Sequence, residues 1–270
     1  MNPNKALWEK GDFTRLAATM RESGSEVVDA LGVNKGMDVL DLGCGDGTTA
    51  IPAAERGATV LGVDIAANLV AAGTARAAEA GLENIRFQEG DASDLVGIED
   101  ESFDLVVSMF GAMFAPRPID VAREMVRVTR RGGRIVMGNW IAGDPTLVAQ
   151  ILKISAAYTP PPPEGFVSPV TWGVEENVRE RFGAAGVRPD DISCERATYV
   201  FRDSHPVGEF LSVFRDYYGP TMNAFAAAAH DGRERDLETE LAALFEAQNQ
   251  GGSDRTEIAA VYLKVVVTKA

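Results

Sequence analysis

Short apolar runs alternate with amphipathic stretches over about the first half of the chain. Five runs rich in Val, Ile and Leu have the length of buried strands and cover 37–42, 59–64, 85–89, 103–109 and 134–138. Helical periodicity separates most of these runs and covers 48–56, 66–80 and 120–131. Strands that alternate with helices in this way predict βαβ units and a parallel sheet with both faces covered.

The flanking regions follow a different pattern. A helix is expected over 13–31, with an interruption at Gly24. Beyond Trp140, helical patterns cover 146–157, 174–184, 207–218 and 235–248, and strand patterns cover 193–201 and 259–268. Four consecutive prolines at 160–163 predict an extended segment. We expect the two late strands to extend the sheet antiparallel at its edge.

These patterns predict an α/β chain with a Rossmann-like, doubly wound, mostly parallel seven-stranded sheet and a helical cap inserted after the fifth strand. The expected parts are an N-terminal helical segment (1–35), a ligand-binding core (36–140), and a region (141–270) that holds the cap, the substrate site and the last two strands. We expect all three parts to form one structural domain.

Charge and composition narrow the classes of function. The chain has 26 basic and 40 acidic residues, a formal net charge of −14, which argues against nucleic acid and anionic membranes as partners. No apolar run reaches the roughly 18 residues of a membrane helix, and the N-terminus does not resemble a signal peptide. Cys44 and Cys194 alone make neither a disulfide framework nor a thiolate zinc site, so no metal is expected. We expect a cytoplasmic protein, and a homodimer is compatible with the sequence.

The most informative motif is VLDLGCGDGT at 39–48, where the first strand turns into the first helix. Gly43, Gly45 and Gly47 permit positive φ and let a ligand approach the backbone, although a tight turn alone also favours glycine. A dinucleotide fingerprint requires a third glycine where Thr48 stands, and a pyrophosphate would be repelled by Asp41. An ammonium group would be attracted by it. No P-loop motif is present.

Two more carboxylates follow successive strands. Asp64 ends the second strand, where a carboxylate can accept hydrogen bonds from both hydroxyls of a ribose. Asp91 follows the third strand, where it can accept from an exocyclic amine beside the backbone of Ala92. Each aspartate alone is as readily a helix cap or a solvated turn. Together they predict a site for an adenosine.

Residues 37–140 resemble a class I S-adenosylmethionine-dependent methyltransferase, in particular the small-molecule type of ubiquinone and menaquinone biosynthesis. The matching segments are VLDLGCGDGTTA, GVDIAANLV, EGDASDL, FDLVVSMFGAMFAP and EMVRVTRRGGRIVMGNW. The resemblance implies S-adenosylmethionine as cofactor. It places Asp41 and the three glycines at the methionine end, with Ser108 beside them. It also places Asp64 at the ribose, Ile65 on the adenine face, and Asp91 with Ala92 at the adenine edge.

The N-terminal segment KALWEKGDF also resembles the opening segment of such enzymes, in which an aromatic residue closes over the cofactor. Trp8 is the residue that matches. The alternative is that Trp8 packs the first helix onto the sheet.

The expected reaction is an in-line displacement of a methyl group onto a small, apolar or aromatic acceptor. Met113 and Phe114 follow the fourth strand and Trp140 follows the fifth, so we expect these three side chains to line the substrate site. Catalytic residues are not identified, because His205 and His230 are each more typical of a surface position. The alternatives are a methyltransferase-like module that binds the cofactor without catalysis and a macromolecular methyltransferase.

Overall fold

A computed structural model describes residues 4–270, so the first three residues of the expected N-terminal segment lie outside the described part of the chain. The strands are β1 (Asp38–Leu42), β2 (Thr59–Asp64), β3 (Ile85–Glu89), β4 (Phe103–Met109), β5 (Thr129–Trp140), β6 (Ile192–Asp203) and β7 (Thr256–Thr268). The helices are α1 (Lys5–Trp8), α2 (Thr14–Ala18), α3 (Arg21–Leu31), α4 (Ala50–Glu55), α5 (Ala67–Glu79), α6 (Pro118–Val128), α7 (Leu147–Ala156), α8 (Glu175–Ala184), α9 (Val207–Tyr217), α10 (Gly219–His230) and α11 (Glu234–Gln248). Over residues 4–270, no helix is long and apolar enough to cross a membrane.

The seven strands form one sheet in the order β3-β2-β1-β4-β5-β7-β6. Strands β1 to β5 pair in parallel, whereas β7 pairs antiparallel with both β5 and β6. The α/β fold and the seven strands are therefore confirmed, and the sheet is mixed. The expectation for the late strands needs a correction: β7 alone runs against the others, because two successive antiparallel pairings return β6 to the direction of β5.

The central strands bury side chains on both faces, as parallel strands under helices do. Val39 and Leu105 pack into a cluster with Ala50 and Ala53 of α4. Their neighbours along the strands face the opposite side and join the larger cluster, which includes α6 and the C-terminal helices. The continuous apolar runs of the sequence reflect this burial on two sides.

The boundary between α6 and β5 differs from the sequence expectation. The predicted helix over 120–131 ends at Val128, and β5 already begins at Thr129, whose backbone is extended (ψ 134°) and pairs with Phe103. The Thr129 hydroxyl donates to the Met125 carbonyl at 2.7 Å and occupies an acceptor at the end of the helix. The glycine pair that was expected to stop the helix lies inside the strand, with Gly132 at φ +76°.

Gly24 does not interrupt the N-terminal helix as predicted. The break lies between α2 and α3, and Gly24 is buried inside α3. A Cβ at this position would lie 2.5 Å from the carbonyl oxygen of Thr48. The glycine therefore permits close packing of α3 against the turn before α4, which is a tertiary contact that helical periodicity does not reveal.

The structure does not confirm the expected helical cap after the fifth strand as one unit. Helices α7, α9, α10 and α11 pack on one another, yet α7 comes from the β5–β6 connection and the other three come from the β6–β7 connection. Helix α8 packs on α6 instead, in the layer that covers the sheet. The helix cluster is therefore built from two separate connections.

We expect Gly173→Ala to destabilise the fold. Gly173 ends a 3₁₀ turn (Pro169–Gly173) that packs against the end of β5, and a Cβ there would lie 2.1 Å from the Trp140 carbonyl oxygen and 2.7 Å from the Cα of Ile141. Because both atoms are backbone, the turn must move, at a cost of about 1–3 kcal/mol in the free energy of unfolding. Urea titration followed by circular dichroism measures this loss.

The matched control is Gly183→Ala in α8, where no atom lies within 4 Å of the added Cβ. This helical glycine is expected to gain about 0.5–1 kcal/mol on substitution. Equal stability of the two variants would contradict the close packing of Gly173 on β5.

Candidate functional site

The glycine turn brings backbone amides to the carboxyl edge of the sheet. Gly43, Gly45 and Gly47 all have positive φ (72°, 54° and 89°). The amides of Gly43 and Cys44 both donate to the Val63 carbonyl, at 2.7 and 3.1 Å, which fixes the turn to β2. A Cβ on Gly43 would lie 2.6 Å from the Cα of Gly111. The backbone of the turn after β1 is therefore in direct contact with the backbone of the turn after β4.

Asp64, at the end of β2, is held by backbone donors. Its Oδ2 accepts from the Gly45 amide at 2.8 Å, and its Oδ1 accepts from the Ala66 amide at 2.9 Å. Burial raises the pKa of this carboxyl above its ordinary value, and the backbone donors oppose the shift. Each oxygen has a second lone pair, so Asp64 can still accept hydrogen bonds from a ligand.

Asp41, on β1, is the least compensated acid of the site. The side chain is 2% exposed, and its Oδ2 has no hydrogen-bond partner among the described residues. Burial and the neighbouring Asp64 raise its pKa from 3.8 to about 8, and a backbone hydrogen bond from Ala50 opposes the shift. A buried carboxyl that lacks a partner is costly unless a ligand completes its hydrogen bonding.

Asp46, which the sequence analysis did not single out, provides the contrast. This fully buried carboxylate lies 3.1 Å from Arg21 Nη2 and 3.2 Å from Arg76 Nη1. Its charge is therefore paired inside the protein, whereas the Asp41 carboxyl has no cationic partner among the described residues. Of these two acids beside the glycine turn, only Asp41 presents an unpaired oxygen.

These groups surround a cavity that offers about 110 Å³ to the centre of a water molecule. We refer to it as the first cavity. The predicted site residues that line it are Trp8, Asp41, Gly43, Gly45, Asp64, Ile65, Ala92 and Phe114. The structure therefore brings together residues from the ends of β1, β2 and β3 and from the N-terminal helix.

Three predicted cofactor residues lie next to this cavity without lining it. Gly47 faces Phe87 and Ile51 at the base of α4, where a Cβ would lie 2.8 Å from the Phe87 ring. The Ser108 hydroxyl donates to the Leu42 carbonyl at 2.6 Å and accepts from the Ala112 amide at 3.0 Å, so it joins the ends of β1 and β4. Asp91 accepts from the amide of Ser93 at 2.9 Å. These hydrogen bonds and contacts hold the turns beside the cavity wall in place.

Two of the three predicted substrate residues, Met113 and Trp140, also lie near the first cavity without lining it. Met113 is 2% exposed and lies in the core. Trp140 is stacked on Phe110, with ring centroids 3.7 Å apart and the planes at 6°. Phe110 rather than Trp140 lines the first cavity. Met113 and Trp140 line neither the first cavity nor the second cavity described below, so their place at the substrate site stays a prediction.

Phe110 lies in the apolar segment after β4 that the sequence places at the site, although Met113 and Phe114 were singled out there. Its backbone has φ +64°, an unfavourable conformation for a side chain of this size. The strain accompanies the close approach of Gly111 to Gly43 and turns the ring onto Trp140. Tyr199 of β6 also lines the cavity, and its hydroxyl donates to the Met20 carbonyl at 2.8 Å. The long sequence separation between β6 and this turn left no local signal of the contact.

Helix α1 lies over the first cavity. Trp8 makes edge contacts with Phe114 (centroids 4.8 Å) and Phe13 (5.7 Å), and Lys5 pairs with Glu89 at the end of β3. The Asn4 amide donates to the Phe114 carbonyl. Trp8 thus both lines the cavity and packs the N-terminal helix, so the two alternatives from the sequence do not exclude each other.

A second cavity adjoins the first and offers about 630 Å³ to the centre of a water molecule. Asn4 and Phe114 line both cavities. Most other lining residues are apolar and come from α7, the segment 163–170 and Pro220. His205 and His230 line neither cavity and are exposed next to Asp203 and Asp231.

Comparisons with known proteins identify the class. A family model described as a methyltransferase domain matches residues 40–137. An uncharacterised protein of Mycobacterium tuberculosis is 34% identical over 227 residues, which is 84% of this chain and 80% of that protein. Nocamycin O-methyltransferase of Saccharothrix syringae is 38% identical over 134 residues, 46% of this chain and 48% of that enzyme. The crystal structure of the YcgJ protein of Bacillus subtilis has the same fold (TM-score 0.59, 20% identity, 92% of this chain and 99% of that chain).

The fold and the glycine turn at the carboxyl edge of β1 thus belong to a methyltransferase. More particularly, the chain is a member of the class I S-adenosylmethionine-dependent methyltransferase family.

The pKa of Asp41 predicts how stability depends on pH. Between about pH 4 and 8 the folded protein retains a proton on Asp41 that the unfolded chain releases, so stability falls as the pH rises through this range. The slope from this one group is at most about 1.4 kcal/mol per pH unit. Asp41→Asn removes the titration, and its gain in stability over the native protein is therefore expected to grow from pH 5 to pH 8.

Urea unfolding at several pH values measures this difference without any ligand. Asp29→Asn is the control, because Asp29 is exposed and pairs with Arg56 on the surface. A constant difference between Asp41→Asn and the native protein over this range would contradict the raised pKa.

Proposed function

We propose that the first cavity holds S-adenosylmethionine and that the second holds a small, apolar or aromatic methyl acceptor. The observation that carries the proposal is the Asp41 oxygen without a partner, buried beside a glycine turn with an open backbone. An ammonium group of the cofactor would satisfy this carboxylate, and ribose hydroxyls would donate to Asp64. The residues present therefore fit the cofactor, which supplies an activated methyl group on a sulfonium sulfur.

Tyr199 and Cys44, which line the first cavity, are not ready general bases. Burial raises the pKa of Tyr199, whose hydroxyl is already donated to Met20. Burial also raises the pKa of Cys44 well above its ordinary value, so the thiol stays protonated. The residues of this chain would then align the cofactor and the acceptor and exclude water. Both effects contribute strongly to the rate of an in-line displacement.

The acceptor proposal rests on the second cavity. Its volume is within the range of small-molecule sites, and its wall is mainly apolar. It meets the first cavity at Phe114 and Asn4, so a ligand in one can approach a ligand in the other. An aromatic acceptor of the kind methylated in quinone biosynthesis is compatible with this lining. The cytoplasm, the lack of nucleic-acid partners and a homodimer remain predictions from the sequence.

We assign the role of the predicted cap to α7 and the segment 157–168. Both contribute to the wall of the second cavity, and Phe166 and Val167 on this segment are 53% and 38% exposed. Closure of the segment onto a bound acceptor would bury this apolar surface and exclude water. The motion has the form of the lid closures that gate many enzymes.

We expect Asp64→Asn to weaken binding of S-adenosylhomocysteine. The variant loses the charge of an acceptor that would serve two ligand hydroxyls, and hydrogen bonds to charged groups contribute about 1.5–3 kcal/mol each. The expected loss is at least tenfold in Kd by titration calorimetry, with Asp29→Asn as the control. Micromolar binding of NAD with none of S-adenosylhomocysteine would overturn the cofactor assignment.

Transfer of a radiolabelled methyl group tests the acceptor class. The native protein is expected to methylate members of a panel of small phenols and naphthols, and not oligonucleotides or peptides. Product formed with oligonucleotides or peptides alone would refute the small-molecule proposal.

A further inference from the structure

One face of α7 forms a wall of the second cavity. Ala149, Leu152, Lys153 and Ala156 all line it, with the i, i+3, i+4, i+7 spacing of a single helical face. Helix α7 packs on α10 and α11, which hold its backbone in place. The fold therefore fixes the backbone of Lys153 beside the cavity, and the residue itself is exposed.

Lys153 is the single charged residue of α7, whose sequence is LVAQILKISA. It is also the single Lys or Arg among the described residues that line the second cavity. No ion pair within 4 Å joins Lys153 to any acid of residues 4–270, unlike most of the arginines of this protein. A lysine stem can lie along an apolar wall while its ammonium group reaches a ligand.

The excess of acidic residues in the molecule indicates which kind of ligand this ammonium group would bind. The net charge of the molecule is −14. An anionic ligand that approaches a protein of this charge is repelled unless a cation stands close by. A neutral apolar ligand needs no such cation.

From this geometry we propose that the methyl acceptor carries an anionic group, such as a carboxylate, which pairs with Lys153 while its apolar body fills the second cavity. The inference rests on the proposed function and narrows its substrate class to apolar anions. Glu164, on the opposite segment of the same wall, is the one acid among the described residues that line the second cavity. It lies beyond the four prolines on an exposed segment, whereas Lys153 stands on a packed helix.

Three matched probes test the charge preference: naphthoate, naphthalenemethanol and naphthalenemethylamine. Each is titrated by calorimetry into the native protein saturated with S-adenosylhomocysteine. Naphthoate is expected to bind about three- to tenfold more tightly than the alcohol, the range of a partly exposed charge-assisted contact. The advantage should shrink as NaCl is raised, because salt screens the pair.

The variant Lys153→Met keeps the length and apolar character of the stem and removes the charge. It is expected to bind naphthoate no better than the alcohol, and its affinity for the alcohol should stay unchanged. Lys35→Met, at an exposed lysine outside both cavities, is the matched control and should behave as the native protein. Glu164→Gln should leave naphthoate binding unchanged or tighter.

The inference is overturned if the native protein binds the acid and the alcohol equally or binds neither. It is also overturned if Lys153→Met retains the preference, or if the amine binds most tightly in a way that Glu164→Gln abolishes. Failure of S-adenosylhomocysteine to bind in the first titration would instead refute the proposed function, so the two failures are distinguishable.

Discussion

The carboxyl ends of β1 and β4 meet at a contact between two glycines, and the site depends on it. A Cβ on Gly43 would lie 2.6 Å from the Cα of Gly111, and a Cβ on Gly111 would lie 2.4 Å from the carbonyl oxygen of Gly43. This approach presents the backbone of the glycine turn to the cavity. It also accompanies the left-handed conformation of Phe110, which places an aromatic ring at the cavity wall. One steric constraint thus shapes both the turn after β1 and the turn after β4.

Three acidic side chains lie close together at the same edge of the sheet, and their burial lowers the stability of the folded state. Asp46 is compensated by two arginines, and Asp64 by two backbone amides, but one oxygen of Asp41 is left without a partner. Proteins commonly retain such uncompensated polar groups where a ligand completes them. In the cofactor site that we propose, the ammonium group of the ligand would offset the cost of the buried Asp41 carboxyl.

The sequence predicted those parts of the fold and site that follow from local pattern. The apolar runs within 37–109 predicted strands whose bounds agree closely with the structure. For β1, β2 and β4 the signal comes from burial on both faces, whereas the edge strand β3 is only partly buried. The glycine turn and the aspartate that ends β2 were found because strand ends in parallel sheets bind ligands. Contacts across long sequence distances were missed: Tyr199 enters the cavity from β6, and Phe110 stacks on Trp140. The order of helical and strand patterns already placed helices in both the β5–β6 and β6–β7 connections, but the packing of α7 on α10 and α11 is a long-range contact that no single segment encodes.

Phe114 and Asn4 form a wall common to both cavities, and this arrangement has a thermodynamic consequence. A ligand that shifts this wall in one cavity changes the shape of the other, so the two binding free energies are coupled. The coupling is reciprocal: whatever factor the first ligand applies to the affinity for the second, the second applies to the first. The wall is also joined to α1 through the Asn4–Phe114 hydrogen bond and the Trp8 ring. Contacts of the N-terminal helix, at a distance from the glycine turn, therefore bear on the affinity of both cavities for their ligands.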